Sequence, residues 1–209
     1  MRVLVSPQAD PGFVPEAAAV AQALAGSEGA VICLVQSGVR NLSRNLSAAE
    51  VSLLRHALLG SRGFKRAAGE EMVGFVCCGV GLGELAGKKA VVVPCDHAGL
   101  TWRSPLRGPN DDAVGPRFPS LDNVYAPERV LHALNGCVGD MTVLAGVVAG
   151  VANEKSLTPF EKRIAQAQGF VAASSELVPV AIVAAHLGLR IASAVLLSAG
   201  EREGEVESG

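Results

Sequence analysis

The stretch Asp96–Tyr125, DHAGLTWRSPLRGPNDDAVGPRFPSLDNVY, decides how the rest of the chain is read, because no ordinary helix or strand needs it. Pro105, Gly108, Pro109, Gly115, Pro116 and Pro119 fall between paired charges, which fixes a long, specifically shaped loop rather than a repeating element. A loop that stiff belongs to an interface or to a site.

On either side of the loop the chain alternates between two patterns. Short apolar runs bounded by Gly and Pro lie at Val3–Val5, Ala30–Val35, Val73–Cys78, Ala90–Val93, Val143–Val148, Phe170–Ala173 and Ile191–Leu197. They are continuous rather than alternating, as strands covered on both faces are. Helical patterns separate them at Pro15–Ala25, Ser47–Leu59, Ala126–Leu134, Thr158–Gln168 and Val178–Leu187. Ser47 precedes Glu50 as a capping box, and Pro15 is placed for a first turn. The alternation predicts an α/β fold of three αβα layers around a mixed, largely parallel sheet. Residues 1–200 read as a single domain, and the acidic 201–209 segment as a tail with nothing to bury.

Composition narrows the function classes. The chain has 209 residues and a formal charge of −2, so no global polycation is present to hold nucleic acid. Arg40, Arg44, Arg55, Arg62, Lys65 and Arg66 oppose only Glu50 across residues 39–68, which is either a solvated helix face or an RNA-facing patch. The five cysteines have neither metal-ligand spacing nor accompanying histidines, and read as buried, reduced thiols. No apolar run reaches the roughly 20 residues that span a bilayer, and no signal peptide is read, so the default expectation is a cytoplasmic protein.

The loop resembles that of the trimeric purine nucleoside phosphorylases, whose pattern reads DH-x-x-L, NPLRGPND, then G-x-RFP and a Tyr. Asp96, His97, Leu100, Pro105–Asp111, Gly115, Arg117, Phe118, Pro119 and Tyr125 carry the match. A second block, GFVAASSELVPVAIVAAHLGLRI, is similar to the family run through Gly169, Val178, Pro179, Ala184, His186, Gly188, Leu189 and Arg190. The resemblance implies a nucleoside phosphorylase-like fold and an oligomer. Trp102, Arg107, Asn110, Arg117 and Tyr125 are then the interface candidates, in a homo-oligomer or in a larger assembly.

The same resemblance implies that the old chemistry was not kept. Phosphorolysis needs donors for phosphate, groups that hold the ribose, and a polar pair for charge growing on the purine. The family's purine-binding Asn and Glu are matched by Ala199 and Leu157, its stacking aromatic by Ser156, and its Asn-Ala pair by Cys77 and Cys78. The Met on the ribose is matched by Ser175, and the Ser that donates to phosphate by Glu176. A carboxylate facing phosphate costs on the order of 1 kcal/mol at 4 Å in water, and more in a dry site. Gly79-Val80-Gly81-Leu82-Gly83 is either a strand-to-helix turn or a relict phosphate loop. His186 reads as a core or interface histidine, and the Asp96-His97 pair as architectural.

The candidate relict pocket is therefore Cys77, Cys78, Thr158, Ser175, Glu176 and Ser198, with no catalytic residue, no metal and no cofactor expected. The leading expectation is a catalytically degenerate phosphorylase-like protein, a pseudoenzyme that serves as a structural or assembly subunit. The alternatives are an active divergent phosphorylase or a hydrolase cleaving the N-glycosidic bond, in which Glu176 would act as a base or hold a ribose hydroxyl, and a non-catalytic purine or nucleoside-binding regulator.

Overall fold

The computed structural model describes residues 3–5, 14–26, 31–33, 46–59, 72–101 and 104–197. Among these residues seven strands run in chain order as β1 (Val3–Val5), β2 (Val31–Cys33), β3 (Met72–Gly81), β4 (Ala90–Gly99), β5 (Thr142–Gly150), β6 (Phe170–Ser174) and β7 (Arg190–Leu197). Five helices are interleaved with them: α1 (Val14–Ala25), α2 (Ala48–Leu59), α3 (Pro127–Leu134), α4 (Pro159–Ala167) and α5 (Leu177–His186). Each apolar run and each helical pattern of the sequence thus became an element of the expected type.

The strands form one mixed sheet in the order β2-β1-β3-β6-β5-β4-β7. β3 also pairs along its length with β7, in parallel register from Met72↔Arg190 to Gly79↔Leu197. The sheet therefore closes through β3-β6-β5-β4-β7, with β1 and β2 extending it from β3. Only β3–β6 and β4–β7 are antiparallel. Closure leaves no free edge on those five strands, which removes a template for unwanted pairing.

Alternation along β3 and β7 explains why their runs are apolar without a break. Val73, Phe75, Cys77, Ile191 and Val195 face one core with α2 and α5, whereas Val76, Ala192, Ala194 and Leu196 face another with α1 and α3. A smaller cluster of Leu82, Ala149, Ala165 and Ala173 seats α4.

Helix ends follow the sequence closely. The Ser47 hydroxyl accepts from Glu50 N at 3.3 Å while the Glu50 carboxylate accepts from Ser47 N at 2.9 Å, completing the capping box. At the other end of the chain α5 closes in a Schellman motif, with Leu189 N donating to Ala184 O, Gly188 N to Ala185 O, and Gly188 at φ +70°. That motif turns the chain directly into β7.

Two strands run further than their apolar runs. β4 passes through Pro94 with an irregularity between Pro94 and Asp96, beyond the last β7 pairing at Val92. Proline is tolerated there because no β7 carbonyl awaits its missing N–H. β3 extends to Gly81 before a 3-10 turn at Gly83–Leu85. A Cβ on Gly79 would lie 2.6 Å from Ala173 O, and one on Gly81 would lie 2.1 Å from Leu85 O. These glycines are accounted for by close backbone packing at the strand end.

Candidate functional site

The C-terminal ends of β3 and β6 meet the start of α5 and the 3-10 turn Glu154–Ser156, and this junction gathers four of the six pocket candidates. Ser174, the last residue of β6, donates through its hydroxyl to Cys78 O at 2.8 Å and accepts from Glu176 N at 3.3 Å. Cys78 N in turn donates to the Glu176 carboxylate at 3.5 Å. One residue away, Ser175 N donates to the Glu154 carboxylate at 3.1 Å. Cys77, Ser175 and Glu176 are buried, at 1%, 4% and 1% exposure.

The electrostatics of this junction are set by its acids. Glu154 and Glu176 are the buried carboxylates among the described residues; Glu154 accepts from Ser175 N, just before α5, and Glu176 from Cys78 N on β3. Each carboxylate thus occupies a backbone amide that would otherwise be open to another acceptor. Burial, then the neighbouring Glu176, pushes the Cys77 thiol well above its ordinary range, which disfavours its thiolate. The Ser175 hydroxyl is buried with no hydrogen-bond partner among the described residues.

Other candidates fall elsewhere. Thr158 is the N-cap of α4: its hydroxyl accepts from Glu161 N at 3.2 Å and its own N donates to the Glu161 carboxylate, so it is spent on a helix end. Ser198 and Trp102 lie outside the described residues, as do Arg40, Arg44, Arg62, Lys65 and Arg66 of the basic segment. Arg55 corrects the solvated-face expectation, because its guanidinium turns inward to His186 Nε2 at 3.1 Å. Cys95 and Cys137 are exposed, against the expectation of buried thiols; Cys95 sits past the last β7 pairing of β4.

The loop is held by its own polar groups. Arg117 donates to Gly108 O at 2.7 Å, Asn110 Nδ2 donates to Gly115 O at 3.0 Å, and His186 Nδ1 meets Pro116 O at 2.9 Å. Arg107 and Arg117 are exposed, as interface residues would be. Tyr125 is not: it is 5% exposed and its hydroxyl lies 2.7 Å from His97 Nδ1, within its own chain. Among the described residues of the loop, the aromatic presented to solvent is Phe118, 86% exposed.

The His97–Tyr125 pair has a pH consequence. Burial lowers the His97 pKa from the ordinary histidine value, with Asp96 partly opposing the shift. A depressed folded-state pKa means that the unfolded chain binds the proton more readily, so the stability due to neutral His97 is present above about 6.5 and lost as pH falls toward the folded value. The unfolding midpoint should decline between pH 7 and 5, and His97→Gln should flatten that decline. Identical profiles for the two proteins would refute this role.

Residues 10–208 match the phosphorylase superfamily, and the chain belongs to it. Within that superfamily it is similar to purine nucleoside phosphorylases. It is 30% identical over 107 residues to purine nucleoside phosphorylase 1 of Bacillus subtilis (strain 168), covering 48% of this chain and 38% of that protein. It is 33% identical over 96 residues to purine nucleoside phosphorylase of Mus musculus, covering 44% and 33% respectively. The matched part thus amounts to about a third of those relatives' length. Among solved structures, Schistosoma mansoni purine nucleoside phosphorylase in a complex with BCX-34 superposes with a TM-score of 0.59 at 25% identity, over 73% of this chain and 57% of that one. A schistosoma purine nucleoside phosphorylase in complex with hypoxanthine aligns over 98% of this chain and 79% of its own, with a TM-score of 0.64 at 20% identity, a likeness of fold. The fold and the family expected from the loop are thereby established.

The structure adds two residues that the sequence does not single out. Glu154 joins the junction, whereas the family register points to Leu157; an acid directly after a buried strand end, in ANEKS, is the available signal. Phe118 stands exposed, and exposure cannot be read from a matched motif.

Proposed function

We propose that this chain is a phosphorylase-superfamily member that does not carry out phosphorolysis and acts as a shape-retaining subunit of an oligomer or larger assembly. The observation that carries the reading is the buried Glu176 carboxylate, which accepts from Cys78 N at the strand end. An incoming phosphate would meet a like charge where the family presents a serine hydroxyl, and an amide already engaged. The exposed Phe118, Arg107 and Arg117 on a self-braced loop support a role through surface contacts.

A second reading is favoured by Glu154 and Glu176 together. Two buried carboxylates flanking Ser175 suit hydroxyl and N–H donors rather than anions, and so suit a nucleoside bound or cleaved by water. Release of free base from inosine, guanosine and adenosine, with and without phosphate, separates the readings. Folded protein that releases no base in either condition supports the subunit reading. Phosphate-dependent release sinks it, and release without phosphate, abolished in Glu176→Gln, installs the hydrolytic reading.

A further inference from the structure

Asn135-Gly136 is the one Asn-Gly pair in the chain, and it forms the turn that ends α3. Asn135 is the C-cap, at φ −59° and ψ 115°, and it is exposed. Gly136 follows at φ +73°, and a Cβ there would meet nothing within 4 Å. Neither the Asn135 side-chain amide nor Gly136 N has a hydrogen-bond partner among the described residues. The turn is spanned by Cys137 N donating to Leu134 O at 3.0 Å and, more weakly, by Asn135 N donating to His132 O at 3.4 Å. Main-chain bonds at a solvent-facing helix end open at little cost. The other described asparagines lack this combination. Asn110 spends its side chain on Asp112 and Gly115 O and is followed by Asp111, and Asn153 accepts from Lys155 N and is followed by Glu154. Asn123 precedes the branched Val124, whose N already donates to Leu121 O.

We propose that Asn135 is a site of spontaneous modification, deamidation through its own backbone to aspartate and isoaspartate, and that the product loosens the end of α3. Gly136 N loses its proton to solvent and attacks Asn135 Cγ. The new N–C bond forms as the Cγ–N bond of the side-chain amide breaks, and the amide leaves as ammonia with protons taken from solvent. Water then opens the five-membered imide at either carbonyl, so the balance is one water in and one ammonia out, with no change of oxidation state. The missing Cβ of Gly136 leaves the attacking nitrogen unscreened, and its free N–H has no acceptor to give up. Rotation about ψ of Asn135 brings the two atoms together, and only the exposed turn bonds resist it. The product changes α3 in two ways. It sets a carboxylate at the C-cap, where the unpaired carbonyls of the last turn already carry partial negative charge. The isoaspartyl form also carries the main chain through the side-chain carbons, directly after Leu134, which is 1% exposed and shares a core cluster with Val130 and α1.

The test uses the full chain, incubated in mildly alkaline buffer and followed by peptide mass spectrometry with chromatographic separation of aspartate from isoaspartate, beside the same chain unfolded in guanidinium chloride. In the folded protein Asn135 should gain one mass unit, at a rate within roughly tenfold of the unfolded chain, because only exposed turn bonds have to open. Asn110, Asn123 and Asn153 should convert more slowly than Asn135. A folded protein in which Asn135 is slowed well beyond that margin, or in which any of the other three converts faster, refutes the proposal. The effect on α3 is read separately by hydrogen exchange. Asn135→Asp, which supplies the charge without the altered backbone, should lower protection of the last α3 amides about two- to fivefold, the size of one adverse charge at a helix end. Unchanged protection there refutes the loosening of α3.

Discussion

Gly115→Ala should destabilise the protein by about 3 kcal/mol or more, the upper end of what an inserted methyl costs in a close-packed site. A Cβ at this position would lie 1.8 Å from His186 O, 2.9 Å from His186 C and 3.0 Å from His186 Nδ1. The obstacle is backbone rather than a side-chain tip that could swing away. It is backbone in the last turn of α5, fixed by the Schellman bonds of Gly188 and Leu189. Relief must come from the loop, and moving the loop strains two hydrogen bonds, Asn110 Nδ2 to Gly115 O and His186 Nδ1 to Pro116 O. Each is worth about 1 kcal/mol net, and more if a buried group is left unpaired. In a domain of this size the loss corresponds to a drop of roughly 6–12 °C in the unfolding midpoint. Gly108→Ala is the matched control: it is strained by φ +101°, but a Cβ there meets nothing within 4 Å. It should cost about 1 kcal/mol. Denaturant midpoints that rank Gly108→Ala as equal to or worse than Gly115→Ala would mean that the close approach of loop and helix has been misread.

Gly115 also shows where the sequence was legible and where it was not. Its place in a rigid loop could be read from the prolines and glycines around it, and the elements flanking the loop from runs such as Val143–Val148 and caps such as Ser47–Glu50. Those signals are local, so they survive without tertiary information. What they could not supply was long-range pairing: nothing in VGFVCC or RIASAVLL announces that β3 and β7 lie side by side and close the sheet. The site divides in the same way. Glu176 could be suspected because it stands where a resembling family has serine, but its grip on Cys78 N required β3 and β6 to be placed together first. Arg55 read as one charge of a basic face, because the partner that draws it inward is 131 residues away. Thr158 read as a ligand candidate although TPFE is a capping-box pattern; the local rule was the better guide there.

Phe75→Ala should cost about 3–5 kcal/mol, as expected when a fully buried aromatic is truncated. Phe75 is the largest fully buried side chain among the described residues and lies mid-way along β3, paired with Leu4 of β1 on one side and Ser193 of β7 on the other. No neighbour can easily collapse into the space, because β3 is fixed by strands on both sides. Phe75→Leu, which restores most of the volume, should recover stability to within about 1.5 kcal/mol of the parent. The substitution also reaches the site. Cys77 stands two residues further along the same strand and hence on the same face, in the same core cluster. Its thiol is held far above the ordinary range chiefly by burial. A cavity opened beside it should admit water and reagent, so Cys77 should react with an aromatic disulfide faster in Phe75→Ala than in Phe75→Leu, under conditions where both remain folded. A stability loss below 2 kcal/mol would mean that the core rearranges around this position. Equal Cys77 labelling in the two variants would mean that the thiol is shielded by the Glu176 side of the junction rather than by the core beneath it, and the Glu176→Gln protein would then be the one to label.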